Sequence, residues 1–305
     1  MNYAVRNCEL IPEEEATVPV TRREVFYGFA VYESLKVLEG VPLFVEEHLD
    51  RLFESARVLR LVHSFSRGAI ADSFRSLAEA NELGDASIRM LLIGGEEPEL
   101  FAYTAELPTY SEKLYRSGAE SITYRGERMF PRAKSSSLLL NYIAGREAAE
   151  RGALEALLVD REGRALEGTR SNLFAVRDGE LLTAGEDVLA GVTRKHILDS
   201  FAEAGGRIRY EKLSLQMLLA GRCEELFISS TSMGALPLRS IDGKDILPEK
   251  GGGTKAAGAP GLGEKAAGAT GAPGRGETSR FPTVERINAV LAERERREIE
   301  RAGGA

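Results

Sequence analysis

Two acidic-glycine pairs set between apolar runs constrain this chain more than any other feature, because each forces it to double back on itself. Glu39-Gly40 separates residues 32–37 from 43–45, and Asp178-Gly179 separates residues 172–176 from 181–182. Glycine takes a positive φ without steric cost, so such a pair between apolar segments reads as a tight hairpin turn. Residues 156–159, the turn at 160–163 and residues 172–176 continue the same pattern, which makes the second half strand-rich. Helical periodicity interrupts it in places. Leu49, Leu52, Phe53, Ala56 and Leu59 form one stripe over residues 46–61, with Arg51 off the stripe, and helices are also expected over 70–80, 138–151 and 193–204. Residues 87–93, 100–107, 121–124 and 226–228 read as further strands, and a last helix carries Val284, Ile287, Val290 and Leu291 on one face before a charged, solvated end at 293–301.

The chain of 305 residues, 43% hydrophobic, is long enough for two cores, and the expected division falls between residues 1–114 and 115–305. Residues 251–276 differ in kind. Gly, Ala, Pro and Lys dominate there, and Lys255-Ala256-Ala257-Gly258-Ala259 recurs at Lys265-Ala266-Ala267-Gly268-Ala269, so a flexible surface insertion is expected over about 250–278. Cys8 and Cys223 lie far apart, and His48, His63 and His196 have no metal spacing, which points away from a disulfide framework or a metal site and towards a reducing cytoplasm. The net charge of -7, with acids and bases interspersed, argues against a nucleic-acid partner, and the sequence has no apolar run of membrane-spanning length.

Four segments carry the chemistry, and their order matters more than any one of them. They are Glu46-Glu47-His48-Leu49-Asp50-Arg51-Leu52-Phe53, Lys134-Ser135-Ser136-Ser137-Leu138-Leu139-Leu140-Asn141, Glu167-Gly168-Thr169-Arg170-Ser171-Asn172 and Leu189-Ala190-Gly191-Val192-Thr193-Arg194. In this order they resemble the fold-type IV pyridoxal-phosphate enzymes: branched-chain aminotransferases, D-amino-acid aminotransferases and aminodeoxychorismate lyases. The resemblance covers about residues 26–242. It implies a two-domain α/β (α+β) fold, with a smaller N-terminal domain and a larger, strand-rich C-terminal domain built as a pseudo-barrel, assembled as a homodimer.

The same resemblance assigns roles. Lys134, in a serine-rich loop entering a helix, would join the cofactor as a Schiff base and then carry the proton; alone, it reads as a surface lysine. Glu167 would pair with the ring nitrogen, and alone it is a strand-end carboxylate. Arg51 would clamp the phosphate, where its own spacing offers only an i,i+4 pair with Glu47. Val192 and Thr193 open a helix whose free N–H groups suit an anion or an ordinary cap, and Thr231 in Ser229-Ser230-Thr231-Ser232 resembles the remaining phosphate ligand. Tyr32, Arg89, Arg170 and Ser232 are the substrate candidates; Tyr32 could equally be packing, and Arg89 a strand-edge charge.

Three departures from the relatives stand out. Leu139 replaces the tyrosine that branched-chain enzymes carry five positions after the lysine, no Arg-x-His carboxylate trap appears near residues 92–96, and Ser232-Met233-Gly234 replaces a small-residue and glutamate pattern. The resulting expectation is an aminotransferase moving an amino group from an aliphatic or branched-chain amino acid to 2-oxoglutarate. A pyruvate-eliminating lyase, a D-amino-acid aminotransferase and a cofactor-binding protein without turnover stand as alternatives.

Overall fold

The structure, a computed structural model, describes residues 2–246 and 279–304, so the expected insertion lies outside the described residues. It comprises two compact units, one of Met1–Thr109, Arg128–Leu140 and Glu293–Ala305, the other of Tyr110–Glu127 and Asn141–Ala292. Along the chain the first passage from one unit to the other comes between Thr109 and Tyr110. The lysine segment and the charged C-terminal turns also belong to the first unit: the main chain at Lys134 bonds to Tyr32 and Ser55, and the Glu295 side chain bonds to Lys36.

In the first unit, β1 (Tyr3–Arg6), β2 (Glu9–Pro12), β3 (Ala30–Leu38), β4 (Val41–Pro42), β5 (Ala86–Ile93) and β6 (Glu99–Ala105) form one antiparallel sheet in the order β2-β1-β6-β5-β3-β4. A short α1 (Arg23–Tyr27) precedes β3, and α2 (Val45–Leu59) and α3 (Arg67–Ala80) follow β4. One face is apolar: Val31, Leu35 and Val37 of β3 and Ile88, Met90 and Leu92 of β5 bury against Leu49, Leu52 and Ala56 of α2 and Ile70, Phe74 and Leu77 of α3. The period of two on the strands and of 3.6 on the helices brings these sets face to face.

The Glu39-Gly40 turn forms as expected, with φ of 51° and 78°, as does Asp178-Gly179. The strand expected at 43–45 does not extend that far. The strand itself is Val41–Pro42; Leu43 N–H still donates to the Lys36 carbonyl at 2.9 Å, but Phe44 adopts φ 53° and Val45 already opens α2. The charged C-terminal end is also less solvated than its composition implies, since Glu295 holds Lys36 at 3.0 Å.

The second unit contains α4 (Glu112–Ser117), β7 (Ala119–Arg125), α5 (Leu139–Glu150, from Asn141 on), β8 (Glu155–Val159), β9 (Arg164–Gly168), β10 (Asn172–Arg177), β11 (Glu180–Thr183), α6 (Val192–Glu203), β12 (Ile208–Tyr210), β13 (Leu213–Ser214), α7 (Leu215–Leu219), β14 (Glu225–Ser230), β15 (Gly234–Ile241), β16 (Lys244–Asp245) and the first part of α8 (Pro282–Gly303). Strands β7, β8, β9, β10, β14 and β15 close on themselves, because Asn172 of β10 pairs with Glu167 of β9 and β15 runs parallel to β7. This is the expected barrel. Its strands are buried on both faces: Leu157, Leu173, Ile228 and Leu236 point to one core, while Phe174, Phe227 and Ala235 pack on Ile197 and Phe201 of α6 and Val284, Ile287 and Leu291 of α8. The Phe174 and Phe227 rings stack with centroids 4.9 Å apart.

Candidate active site

The first unit gathers Lys134, Tyr32 and Arg51. The lysine segment lies against the start of β3: Tyr32 N–H donates to the Lys134 carbonyl at 2.9 Å, Ser136 N–H to Ala30 at 2.9 Å, and Val31 and Ser135 form a bridge. Lys134 N–H donates to Ser55 Oγ of α2 at 2.9 Å, and Ser136 Oγ–H to the Gly28 carbonyl at 2.8 Å. The main chain is thus fixed on both sides of the lysine. Its amine lies 4.5 Å from the centroid of the Tyr32 ring.

Arg51 reaches from its helix to β3. Its Nε and Nη2 donate to the two oxygens of Glu33 at 2.8 and 2.7 Å, and His48 Nδ1 lies 2.7 Å from the same carboxylate. Burial alone would push the Glu33 carboxyl up, but the Arg51 charge and hydrogen bonds, with those of His48, hold it well below the usual range. Burial lowers His48, whose partner Glu33 pulls the other way while Arg51 and Lys134 reinforce the fall. This pairing explains how an arginine off the apolar stripe of α2 comes to be only 8% exposed. The fork on Glu33 uses Nε and Nη2 and leaves Nη1 as a cationic edge that fits a phosphate.

Glu33 and Ser55 were missed by sequence reasoning, and His48 was read as merely structural. A signal for Glu33 was present: it interrupts the alternation Val31, Leu35, Val37 on the buried face of β3, where a carboxylate needs a cationic partner. Arg89 is exposed on the opposite face of the sheet, which Tyr32 shares, since Ser34 pairs with Arg89 and Tyr32 with Leu91.

The second unit gathers the other candidates at one end of the barrel. Glu167, Asn172 and Ser229 are neighbours across β9, β10 and β14. Glu167 accepts Leu189 N–H at 3.0 Å, and Asn172 Nδ2 donates to the Leu189 carbonyl at 2.8 Å, so the residues leading into α6 are held beside the carboxylate. A Cβ on Gly191 would collide with the Asn172 amide, and this glycine begins α6 with no side-chain cap. The N–H groups of Val192 and Thr193 therefore remain for an anion.

Thr231 and Ser232 form the turn between β14 and β15 and are half-buried. Ser229 Oγ and Arg194 Nε are buried without a hydrogen-bond partner among the described residues, which fits a polar group being received at this end of the barrel. Arg170 is exposed in the turn between β9 and β10. That turn is organised by Glu155, 1% exposed, which accepts Thr169 N–H at 3.0 Å, Thr169 Oγ–H at 2.5 Å and Ser171 Oγ–H at 2.7 Å. Glu155 escaped sequence reasoning, and Asn172, though it ends the Glu167 segment, was given no role, since neither contact is visible until the strands are paired. No group of acidic, cysteine or histidine side chains among the described residues could hold a metal.

The family model for amino-transferase class IV matches residues 30–241. This chain belongs to the class IV aminotransferases. It is similar to the putative branched-chain-amino-acid aminotransferase of Methanocaldococcus jannaschii, 30% identical over 79% of this chain and 88% of that one. It is also similar to the D-alanine aminotransferase of Bacillus licheniformis, 28% identical over 79% and 88%. Among solved structures, the T.th. branched-chain amino acid aminotransferase with pyridoxamine 5'-phosphate matches with a TM-score of 0.74 at 27% identity, over 80% of this chain and 87% of that one. The class IV enzyme is thus a fold-type IV, pyridoxal-phosphate-dependent aminotransferase, and each unit by itself carries groups of the kind that suit this cofactor: an amine and a cationic edge in the first, a buried carboxylate and an uncapped helix start in the second.

Proposed function

We propose that the enzyme transfers the amino group of an aliphatic or branched-chain amino acid to 2-oxoglutarate, with Lys134 as the residue that carries pyridoxal phosphate. The observation behind this reading is the immobilised main chain at Lys134, whose amine faces Tyr32 in the same unit as the Arg51 guanidinium. When bound, pyridoxal phosphate supplies an electron sink that stabilises the carbanion at the substrate α carbon. Lys134 Nζ takes the α proton and returns it one atom away. Glu167, held by Leu189 N–H, keeps the ring nitrogen protonated. Arg51, Val192, Thr193 and Thr231 bind the phosphate, and Tyr32, Arg89, Arg170 and Ser232 orient the substrate. The similarity to branched-chain enzymes supports the choice of donor.

We assign the enzyme to a homodimer. Val25, Phe26, Tyr27, Met129 and Phe130 of the first unit are large apolar side chains left 43–82% exposed, and burying them against a second copy would favour such an assembly.

A donor screen tests the reading. L-valine, L-leucine or L-isoleucine, given alone, should discharge the visible band of the holoenzyme, and 2-oxoglutarate should restore it. Lys134→Ala should lower turnover by about 10²–10⁴-fold. Discharge by D-alanine only, or pyruvate release from aminodeoxychorismate without an acceptor, would replace the proposed substrate.

A further inference from the structure

The hydroxyl turn between β14 and β15 is braced from outside by residues the reaction does not itself use. β7 pairs with β15 only from Leu238 onward, so on that side Ala235 lies beyond the reach of the neighbouring strand. Asn288 of α8 takes its place: Ala235 N–H donates to Asn288 Oδ1 at 2.9 Å, and Asn288 Nδ2 donates to the Ala235 carbonyl at 2.7 Å. One amide thus satisfies both main-chain groups as an adjacent strand would.

The approach is close enough to dictate sequence. Gly234 has φ 63°, and a Cβ there would lie 2.8 Å from Asn288 Oδ1. This accounts for the glycine that closes the Ser232-Met233-Gly234 segment. On the other side of the turn, Tyr115 O–H donates to the Met233 carbonyl at 2.8 Å, and Met233 N–H donates back to Ser230 at 3.3 Å. The helix carrying Asn288 is itself anchored, since Thr283 and Val284 N–H donate to Glu225 at 2.8 and 3.1 Å while Val284, Ile287 and Leu291 are buried.

We propose that Asn288, assisted by Tyr115, is a positioning residue that fixes the Ser230–Thr231–Ser232–Met233 turn in the form that receives the cofactor phosphate. This rests on the reading of Thr231 as a phosphate ligand. A donor held in place before the ligand arrives binds more tightly than one that must first be ordered, so loosening the brace weakens the phosphate and spares the rest of the cofactor.

The experiment compares pyridoxal phosphate with pyridoxal, which lacks the phosphate, by visible titration of the full chain freed of cofactor. Asn288→Ala should raise Kd for pyridoxal phosphate about tenfold, the loss of one good hydrogen bond, and leave Kd for pyridoxal within about twofold. Tyr115→Phe should move the same ratio less. Combined with Thr231→Val, Asn288→Ala should add little to the loss from Thr231→Val alone, because both act through one hydroxyl. Equal weakening of both ligands, or additive losses in the double variant, would overturn the proposal and leave Asn288 a structural brace. If Asn288→Ala does not fold, Tyr115→Phe decides by the same criterion. A wild-type chain that forms no visible band with either ligand would refute the function itself, a result distinct from any change in the ratio.

Discussion

Two buried glutamates, one in each unit, feel the same push from burial and end on opposite sides of their ordinary value. Glu33 of β3 is 0% exposed and Glu225 of β14 is 3% exposed, and in both cases loss of water is the largest influence, favouring the neutral acid. Glu33 nevertheless sits well below the usual carboxylate range because the Arg51 guanidinium grips both its oxygens. Glu225 is held differently. It accepts Thr283 and Val284 N–H at the start of α8, with Arg286 contributing from a distance, and burial still lifts it above its ordinary value. The first unit stabilises its carboxylate with a charge gripped at both oxygens, the second with the Thr283 side chain, two peptide N–H groups and a distant charge, and only the first set outweighs desolvation.

The sharpest way to break this comparison is Glu33→Gln. It strands the Arg51 charge in the core of the first unit, and the expected cost is about 3–5 kcal/mol, read as faster hydrogen exchange in α2 and β3 and a lower urea midpoint. A loss below about 1 kcal/mol would mean that the buried pair is not what holds Arg51. Glu155→Gln sharpens the second side. This carboxylate is held by hydroxyl and N–H donors, and losing one acceptor should cost about 1–3 kcal/mol, with exchange rising in the turn after β9 and little change in the first unit.

Glu225→Gln should cost least at neutral pH, about 1 kcal/mol or less, because an amide oxygen still accepts from the helix and carries no charge to desolvate. Its effect is best read against pH. A carboxyl whose folded value is raised contributes stability that is full below its ordinary 4.5 and fades as pH rises through the folded value; the variant should remove that slope from the second unit. The first unit carries the opposite sign. His48 and Glu33 are both lowered on folding, so their contributions are complete above the ordinary 6.5 and 4.5 and are lost as pH falls below them. Acid titration followed by hydrogen exchange should therefore open α2 before α8, and the reverse order would contradict the assignment.

Much of the fold was legible where the pattern is local. The stripe of α2, the helix at 192–203 and the turns Glu39-Gly40 and Asp178-Gly179 appear close to where the sequence puts them, since periodicity and positive φ are properties of neighbouring residues. Strands β9 and β15 leave no such local trace, because Arg164–Gly168 and Gly234–Ile241 gain their strand character from partners far along the chain. The site divides in the same way. Lys134, Glu167 and the residues opening α6 are proposed from motifs, whereas Glu33, Glu155 and Asn288 draw notice only for what they meet after folding.

The sequence by itself determined the family and, with it, the cofactor, because four short segments in fixed order carry the resemblance. The tertiary structure alone decided which charges neutralise one another and which loops are braced. Arg51 reaches Glu33 across 18 positions and Asn288 reaches Ala235 across 53, and at such separations a side chain's partner is set by the packing of whole elements.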